Sequence, residues 1–321
     1  MRALLIILVT SISVQFCIAQ TKRVWIDTDI MIGKFRRDVD DGLALILALR
    51  DSNLQIEGIS FVHGVDYADK VTKRLLGWYA PNRIILTYKG SDDSTGFGKK
   101  TPAVVAMIEA LEKGPIYILA LGPMTNIGTV LSLRPDLHKN ILGLSYCAGR
   151  RPGMLFNPGS GKVKFSDYNF DLDPKSSEVL LDAKFPVILS GYDCSDSLFL
   201  NKSDFVHLKN SDNKGDRWLY KQLKEWENLW RVFMGSKQGF IPFDCSTVGA
   251  LFYPNEFDGD DSIPAFIKVG KNDSKHTVST PTKPYLLVHE NERGKSVTYC
   301  DYTKDQFKKR LLKAIHHPNY R

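Results

Sequence analysis

The sequence predicts an α/β domain: a single open, mostly parallel sheet with helices on both faces and a small antiparallel extension near the C-terminus. Three observations carry this. Apolar runs of strand length alternate with helical patterns through roughly the first two thirds of the 321 residues, the pattern of parallel strands joined by helical crossovers. Several runs are continuously apolar, as strands covered on both faces are. After Ser262 the rhythm changes to short alternating runs, which suit antiparallel strands or hairpins.

In chain order, strands are expected at Arg23–Asp27, Gln55–Val62, Arg83–Tyr88, Ile116–Leu121, Ile141–Cys147 and Pro186–Ser190. Helices are expected at Asp41–Arg50, Tyr67–Trp78, Thr101–Lys113, Asn126–Leu133, Pro174–Asp182 and Asp216–Met234. In the last of these, Trp226 and Trp230 share a face with Leu219, Leu223 and Phe233; that stripe reads as core, with base stacking as the alternative. The short runs Ile263–Val269, His276–Ser279, Tyr285–His289 and Ser296–Tyr299 make the extension, and the amphipathic helix Lys304–Ile315 closes the fold.

At 43% hydrophobic and 25% charged residues the composition is that of a globular chain, not a disordered one. Met1–Ala19 reads as a signal peptide: basic Arg2, the apolar stretch Ala3–Val14, then Cys17-Ile18-Ala19 at the cleavage position. Residues 20–321 form the mature domain, expected to be secreted, with no membrane span after the signal leaves. The formal charge of +7 falls by one when Arg2 is removed, and the basic residues are scattered, so no specific nucleic-acid partner is implied. Outside the signal, Cys147, Cys194, Cys245 and Cys300 allow three pairings, and none shows the CxxC spacing of a zinc site. Asn201-Lys202-Ser203 and Asn272-Asp273-Ser274 fit the N-glycosylation pattern.

The chemistry concentrates near the start of the mature chain. An apolar strand ends in Asp27-Thr28-Asp29, and Asp38-Val39-Asp40-Asp41 heads the next helix. One Asp at a helix start is an ordinary cap. So many together repel one another and call for a cation, and hard oxygen donors suit Ca²⁺ or Mg²⁺. In open parallel sheets, ligands bind beyond the carboxyl ends of the strands, where both Asp29 and Gly122-Pro123-Met124-Thr125-Asn126 are expected. A haloacid-dehalogenase-like phosphatase also opens on DxD, with Asp27 as nucleophile, but that family has neither of the downstream segments.

The whole set resembles the inosine–uridine-preferring nucleoside hydrolase family. Asp27-Thr28-Asp29-Ile30, an insertion, then Asp38-Val39-Asp40-Asp41-Gly42-Leu43-Ala44-Leu45 stands for the family's DTDxGxDVDDxxAL. Leu119–Asn126 matches its LGPLTN segment, Asp167–Pro174 its EFNxxxDPEA segment, and Pro242-Phe243-Asp244 its HDP segment. The resemblance implies hydrolysis of ribonucleosides to free base and ribose around one Ca²⁺, with a slight preference for purine nucleosides, and a homodimer or homotetramer. By similarity the metal ligands are Asp29, Asp41, the carbonyl of Thr125, and Asp244; Asp29 is also the general base. Asp40, Asp167 and Asn169 hold the sugar, Phe243 faces the base, and Asp27 orients its neighbours from behind.

Four departures from the family pattern point to altered chemistry. The Ile30–Val39 loop is long and basic, with Met31 where a glycine is usual and Gly33 displaced beyond it. Val65 replaces a sugar-binding Asn, with Asp66 next door as a substitute. Asp167 replaces a Glu. Phe243 replaces a His that protonates the departing base, and phenylalanine has no proton to give. These departures keep a second reading open, a binding or interaction protein on the same scaffold.

Overall fold

The computed structural model describes residues 21–157, 164–274 and 278–316; the expected signal peptide lies outside the described residues. Strand β1 (Lys22–Thr28) pairs in parallel with β2 (Leu54–Phe61) on one side and β4 (Ile116–Ala120) on the other. Alternate side chains of β1 enter different cores. Val24 and Ile26 pack on one face of the sheet, with α1 (Asp40–Arg50) and α2 (Val65–Tyr79). Trp25 packs on the other, with α3 (Pro102–Glu112) and α4 (Thr125–Leu133). Both faces are therefore dry, and this is why the strand shows no polar alternation.

Beyond β2 lies the short β3 (Thr87–Lys89); beyond β4 come β5 (Ile141–Tyr146) and β6 (Val187–Leu189), all parallel. The sheet continues through β9 (Lys295–Thr303) to β7 (Phe257–Lys271) and β8 (Thr282–Val288), giving the order β3-β2-β1-β4-β5-β6-β9-β7-β8. β7 runs antiparallel to both of its neighbours, so the predicted C-terminal extension is part of the main sheet. Helix α11 (Asp305–His316) returns to pack on α1.

Shorter helices sit between these elements: α5 (Tyr168–Leu172), α6 (Pro174–Leu181), α7 (Tyr192–Ser195) and α8 (Lys202–Phe205). Asp173 caps α6, accepting the Ser176 N–H at 3.0 Å, as its place before Pro174 suggests. Helix α9 (Lys214–Leu229) widens into a π turn over Trp230–Met234, and α10 (Phe243–Phe252) follows. Helix α10 is buried on nearly all sides, between α1 and the sheet, so it carries no periodic signal in the sequence.

Two expected strands differ. Arg83–Tyr88 shrinks to β3, because the Arg83 guanidinium donates to the Leu49 and Leu54 carbonyls, each at 3.0 Å, and Ile84 is 95% exposed. Of His276–Ser279, residues 276 and 277 lie outside the described residues, and Val278 and Ser279 are not in a strand. One cysteine pairing is selected: Cys194 at α7 is bonded to Cys300 on β9, while Cys147 and Cys245 are free. No helix among the described residues is long and apolar enough to cross a membrane.

Candidate active site

Because β1, β4, β5 and β6 are parallel, their carboxyl ends open on one edge of the sheet. The residues just beyond those ends, with the starts of α1 and α10, enclose a cleft of about 480 Å³. Its floor is acidic. Asp29 follows β1, Asp38 precedes α1, Asp40 and Asp41 open α1, and Asp244 opens α10. Asp38, Asp40 and Asp41 each offer a carboxylate oxygen within 4.8 Å of the others. Two helix N-termini point at this cluster, and their partial positive charge offsets part of the repulsion.

Against the burial that raises the Asp38 carboxyl, Arg37 draws it down, and that relieves only a part of the rest. Burial pushes the carboxyl groups of Asp29, Asp40, Asp41 and Asp244 well above the usual range, and repulsion from one another and from Asp38 pushes them further. No lysine or arginine among the described residues forms an ion pair with any of the five. Such a floor is built for a cation, and all-oxygen donors fit a hard divalent one.

Asp27 stands behind the floor. It is fully buried and does not line the cleft; one oxygen accepts the Ser60 hydroxyl and, at 2.9 Å, the Asn126 amide. Trp25 Nε1 donates to Ser60 at 2.8 Å, and Asn126 also donates to the Phe61 carbonyl at 3.0 Å. Asp27 thus ties β1, β2 and α4 together. A group so enclosed cannot be the attacking nucleophile, which removes the phosphatase alternative. Burial raises Asp27 to about 7, against the opposing effect of its two hydrogen bonds.

Thr125 also does not line the cleft. Its hydroxyl donates to Asp173 at 2.5 Å, and its carbonyl accepts the Thr129 hydroxyl at 2.7 Å. Of the ligand set implied by resemblance, the cleft brings together Asp29, Asp41 and Asp244, joined by Asp38 and Asp40. The GPMTN segment that carries Thr125 meets the floor at Gly122, where a Cβ would lie 2.9 Å from the Asp29 carboxylate. Asp38 belongs to the quoted motif but has no role in the family pattern; its two-residue spacing from Asp40 was the available signal.

Asp167 and Asn169 line the cleft near the ends of β4 and β5. Asp167 accepts the Gly149 N–H at 2.8 Å, and burial raises its carboxyl group to about 6. The Asn169 amide donates to the Leu121 and Cys147 carbonyls at 2.7 and 3.0 Å, so its own oxygen is left as acceptor. Asp66 is not a substitute for the missing Asn. It is turned out to solvent, where it pairs with Lys89 at 2.6 Å.

Opposite the acids is an aromatic wall. Phe243 lies 6.1 Å from Tyr192, 6.4 Å from Phe165 and 6.4 Å from Trp230, and Tyr192 stacks on Phe156 at 4.8 Å between ring centroids. Trp226 and Trp230 complete it. Trp230 is at once core and cleft wall: it is 1% exposed, and its indole N–H is buried with no acceptor among the described residues. Phe156, Phe165 and Tyr192 were not anticipated. They come from loops and a one-turn helix, where no periodicity marks them.

The buried Asp27 and Asp167 carboxyl groups make stability depend on pH. Asp27 at about 7 and Asp167 at about 6 hold protons in the folded state that the unfolded chain, near 4, has released. Between about pH 4 and 7 the folded protein therefore binds more protons, and stability falls as pH rises. In excess chelator, Tm is expected to drop from pH 5 to pH 8 in scanning calorimetry. A Tm that climbs across that window would contradict it.

A profile of the inosine-uridine preferring nucleoside hydrolases matches residues 24–318. A pyrimidine-specific ribonucleoside hydrolase of Salmonella arizonae is 22% identical over 209 residues, 54% of this chain and 63% of that protein. One from Citrobacter koseri is 23% identical over 203 residues with the same coverage, so the match spans under two thirds of these relatives. Among solved structures, a plant nucleoside hydrolase superposes with a TM-score of 0.74 at 17% identity, covering 92% of this chain and 99% of that one. A purine-preferring ribonucleoside hydrolase from Gardnerella vaginalis gives 0.73 at 17%, covering 92% and 98%. At such identities the superpositions establish a shared fold. The profile spans nearly all of the described residues and includes every carboxylate of the floor, and on that ground the chain belongs to the inosine-uridine preferring nucleoside hydrolase family.

Proposed function

We propose that the cleft hydrolyses the N-glycosidic bond of ribonucleosides in a Ca²⁺-dependent reaction, with purine nucleosides slightly favoured. One observation carries this: five carboxylates, none in an ion pair with a lysine or arginine among the described residues, face an aromatic wall across one cleft. Asp29, Asp41, Asp244 and the carbonyl of Thr125, with Asp38 or Asp40 beside them, would hold the ion. When bound, Ca²⁺ supplies the positive charge that makes a water more acidic and gathers ribose hydroxyls.

The chain's own residues do the rest. Asp29 takes a proton from water as the oxygen adds to the anomeric carbon, and the bonding pair of the broken C–N bond leaves with the base. Positive charge develops on the sugar, as in glycoside hydrolysis, and the neighbouring carboxylates stabilise it. Asn169 accepts from a sugar hydroxyl with its free oxygen, and Asp40 and Asp167 hold the other hydroxyls. Phe243 and Tyr192 stack on the base. The Trp230 ring backs this stack, and the broad wall favours the larger purine ring.

Secretion belongs to the same proposal. The Cys194–Cys300 bond suits an oxidising compartment. Of the two glycosylation patterns, Asn201 caps α8 with its oxygen, accepting the Ser203 N–H at 3.0 Å, whereas Asn272 spends its amide nitrogen on the Val278 and Thr280 carbonyls. Asn201 is thus the better acceptor.

The test is incubation with inosine, adenosine, uridine and cytidine, in calcium or in chelator, with chromatographic detection of free base. Base release in calcium, stronger for the purines and lost with chelator, is the expected outcome. Binding without any release would favour the second reading, a binding protein on this scaffold, to which the loss of a proton donor at Phe243 points.

A further inference from the structure

The loop that lengthens the motif between Asp29 and Asp40 is anchored, and it carries two cations into the cleft. Ile30 and Ile32 are fully buried, and the Tyr67 hydroxyl donates to the Ile32 carbonyl at 3.1 Å. Gly33 turns with a φ of 87° against Trp218, where a Cβ would come within 2.6 Å of the indole. Hydrogen bonds from Lys34 N to Met31 O at 3.0 Å and from Arg37 N to Lys34 O at 3.1 Å close the loop. Arg36 has a left-handed φ of 58°, a conformation that side chains other than glycine seldom adopt and that functional sites often hold. Its guanidinium lies 5.0 Å from the Phe35 ring centroid and 5.6 Å from that of Phe233.

Arg36 and Arg37 line the same cleft as the five carboxylates, yet neither comes within 4.0 Å of a carboxylate oxygen among the described residues. The Arg37 charge favours the ionised form of Asp38 from a distance, without an ion pair. An uncharged nucleoside offers a guanidinium only neutral acceptors, whereas an oxyanion offers it a charged one. A guanidinium is suited to two-pronged recognition of phosphate or carboxylate, and a pair of them at the mouth reverses the field that an anion would otherwise meet.

We propose that Arg36 and Arg37 select nucleosides that carry an oxyanion, either a phosphate on the 5′-oxygen or a carboxylate on the base. This rests on the hydrolase reading for the placement of the nucleoside but is tested by binding as well as turnover. Calcium-loaded mature protein is titrated calorimetrically with uridine, uridine 5′-monophosphate and orotidine, and base release is followed in parallel. At least one anionic ligand is expected to bind ~10-fold or more tightly than uridine, about 1.4 kcal/mol per tenfold. Which of the two does so identifies where the oxyanion sits. In the Arg36→Gln/Arg37→Gln double variant that advantage is expected to fall below ~3-fold, and raising salt is expected to narrow it in the parent. Equal or weaker binding of both anions to the parent would overturn the inference without recourse to any variant, as would an advantage that survives the double substitution. Uridine cleavage with no preference for either anion leaves the hydrolase standing and removes this inference. Anion-selective binding with no base release from any ligand does the reverse.

Discussion

Replacing Asp29 by Asn is expected to remove about 10²–10⁴ of the rate, the range that a positioned general base supplies. Asp29 is the first residue past β1 and is held in the cleft by its neighbours rather than by a cationic partner. Gly122 leaves room beside its carboxylate, where a Cβ would lie 2.9 Å from Oδ1. Asparagine has the same shape, so the packing with Gly122 survives, but an amide oxygen does not take a proton from water. The fold should be intact, because the substitution relieves rather than adds repulsion with Asp38 and Asp40. Asp29 is also an expected metal ligand, and for that reason turnover is compared at saturating calcium, with calorimetric Ca²⁺ affinity measured beside it. A variant that binds Ca²⁺ and nucleoside but releases no base supports the base assignment. Turnover equal to the parent's at saturating calcium would sink it.

The floor of this site was legible in the sequence because local signals coincide there. An apolar strand that ends in Asp27-Thr28-Asp29 and a helix that starts with Asp40-Asp41 place carboxylates at a strand end and at a helix start, and parallel topology brings both to one edge. Asp244 was reachable only by resemblance, since α10 has no periodicity to announce its first turn. The aromatic wall was half legible. Trp226 and Trp230 sit on a stripe that reads equally as core or cleft, and the π turn at Trp230 puts that residue in both. Phe156, Phe165 and Tyr192 reach the wall by long-range packing that leaves no trace in spacing. The direction of Arg36 depends on one left-handed backbone angle, and the Cys194–Cys300 pairing on β9 lying beside β6 and α7. Both are properties of the assembled sheet rather than of any short segment.

Asp41 tests the metal from the stability side. It is buried at the start of α1, accepts the Thr28 hydroxyl, and is repelled by Asp29 and Asp38. Changing it to Asn keeps the size and an oxygen for Thr28 while removing one charge from the floor. Two effects of opposite sign follow. Without calcium the variant sheds repulsion, so its Tm in chelator is expected to equal or exceed the parent's. With calcium the order reverses, because a ligand that binds only the folded state stabilises by about 2.7 kcal/mol at a hundredfold excess over Kd. For a chain of this size, at about 2.1 cal/mol/K of unfolding entropy per residue, that is roughly 4 °C of Tm, and the variant should lose most of it. The crossing of the two Tm values is the informative result, since an ordinary packing defect would lower Tm with and without the ion alike. If the variant keeps the parent's full calcium increment, Asp41 is not a ligand. If the parent itself shows no increment, the carboxylate floor is not a calcium site.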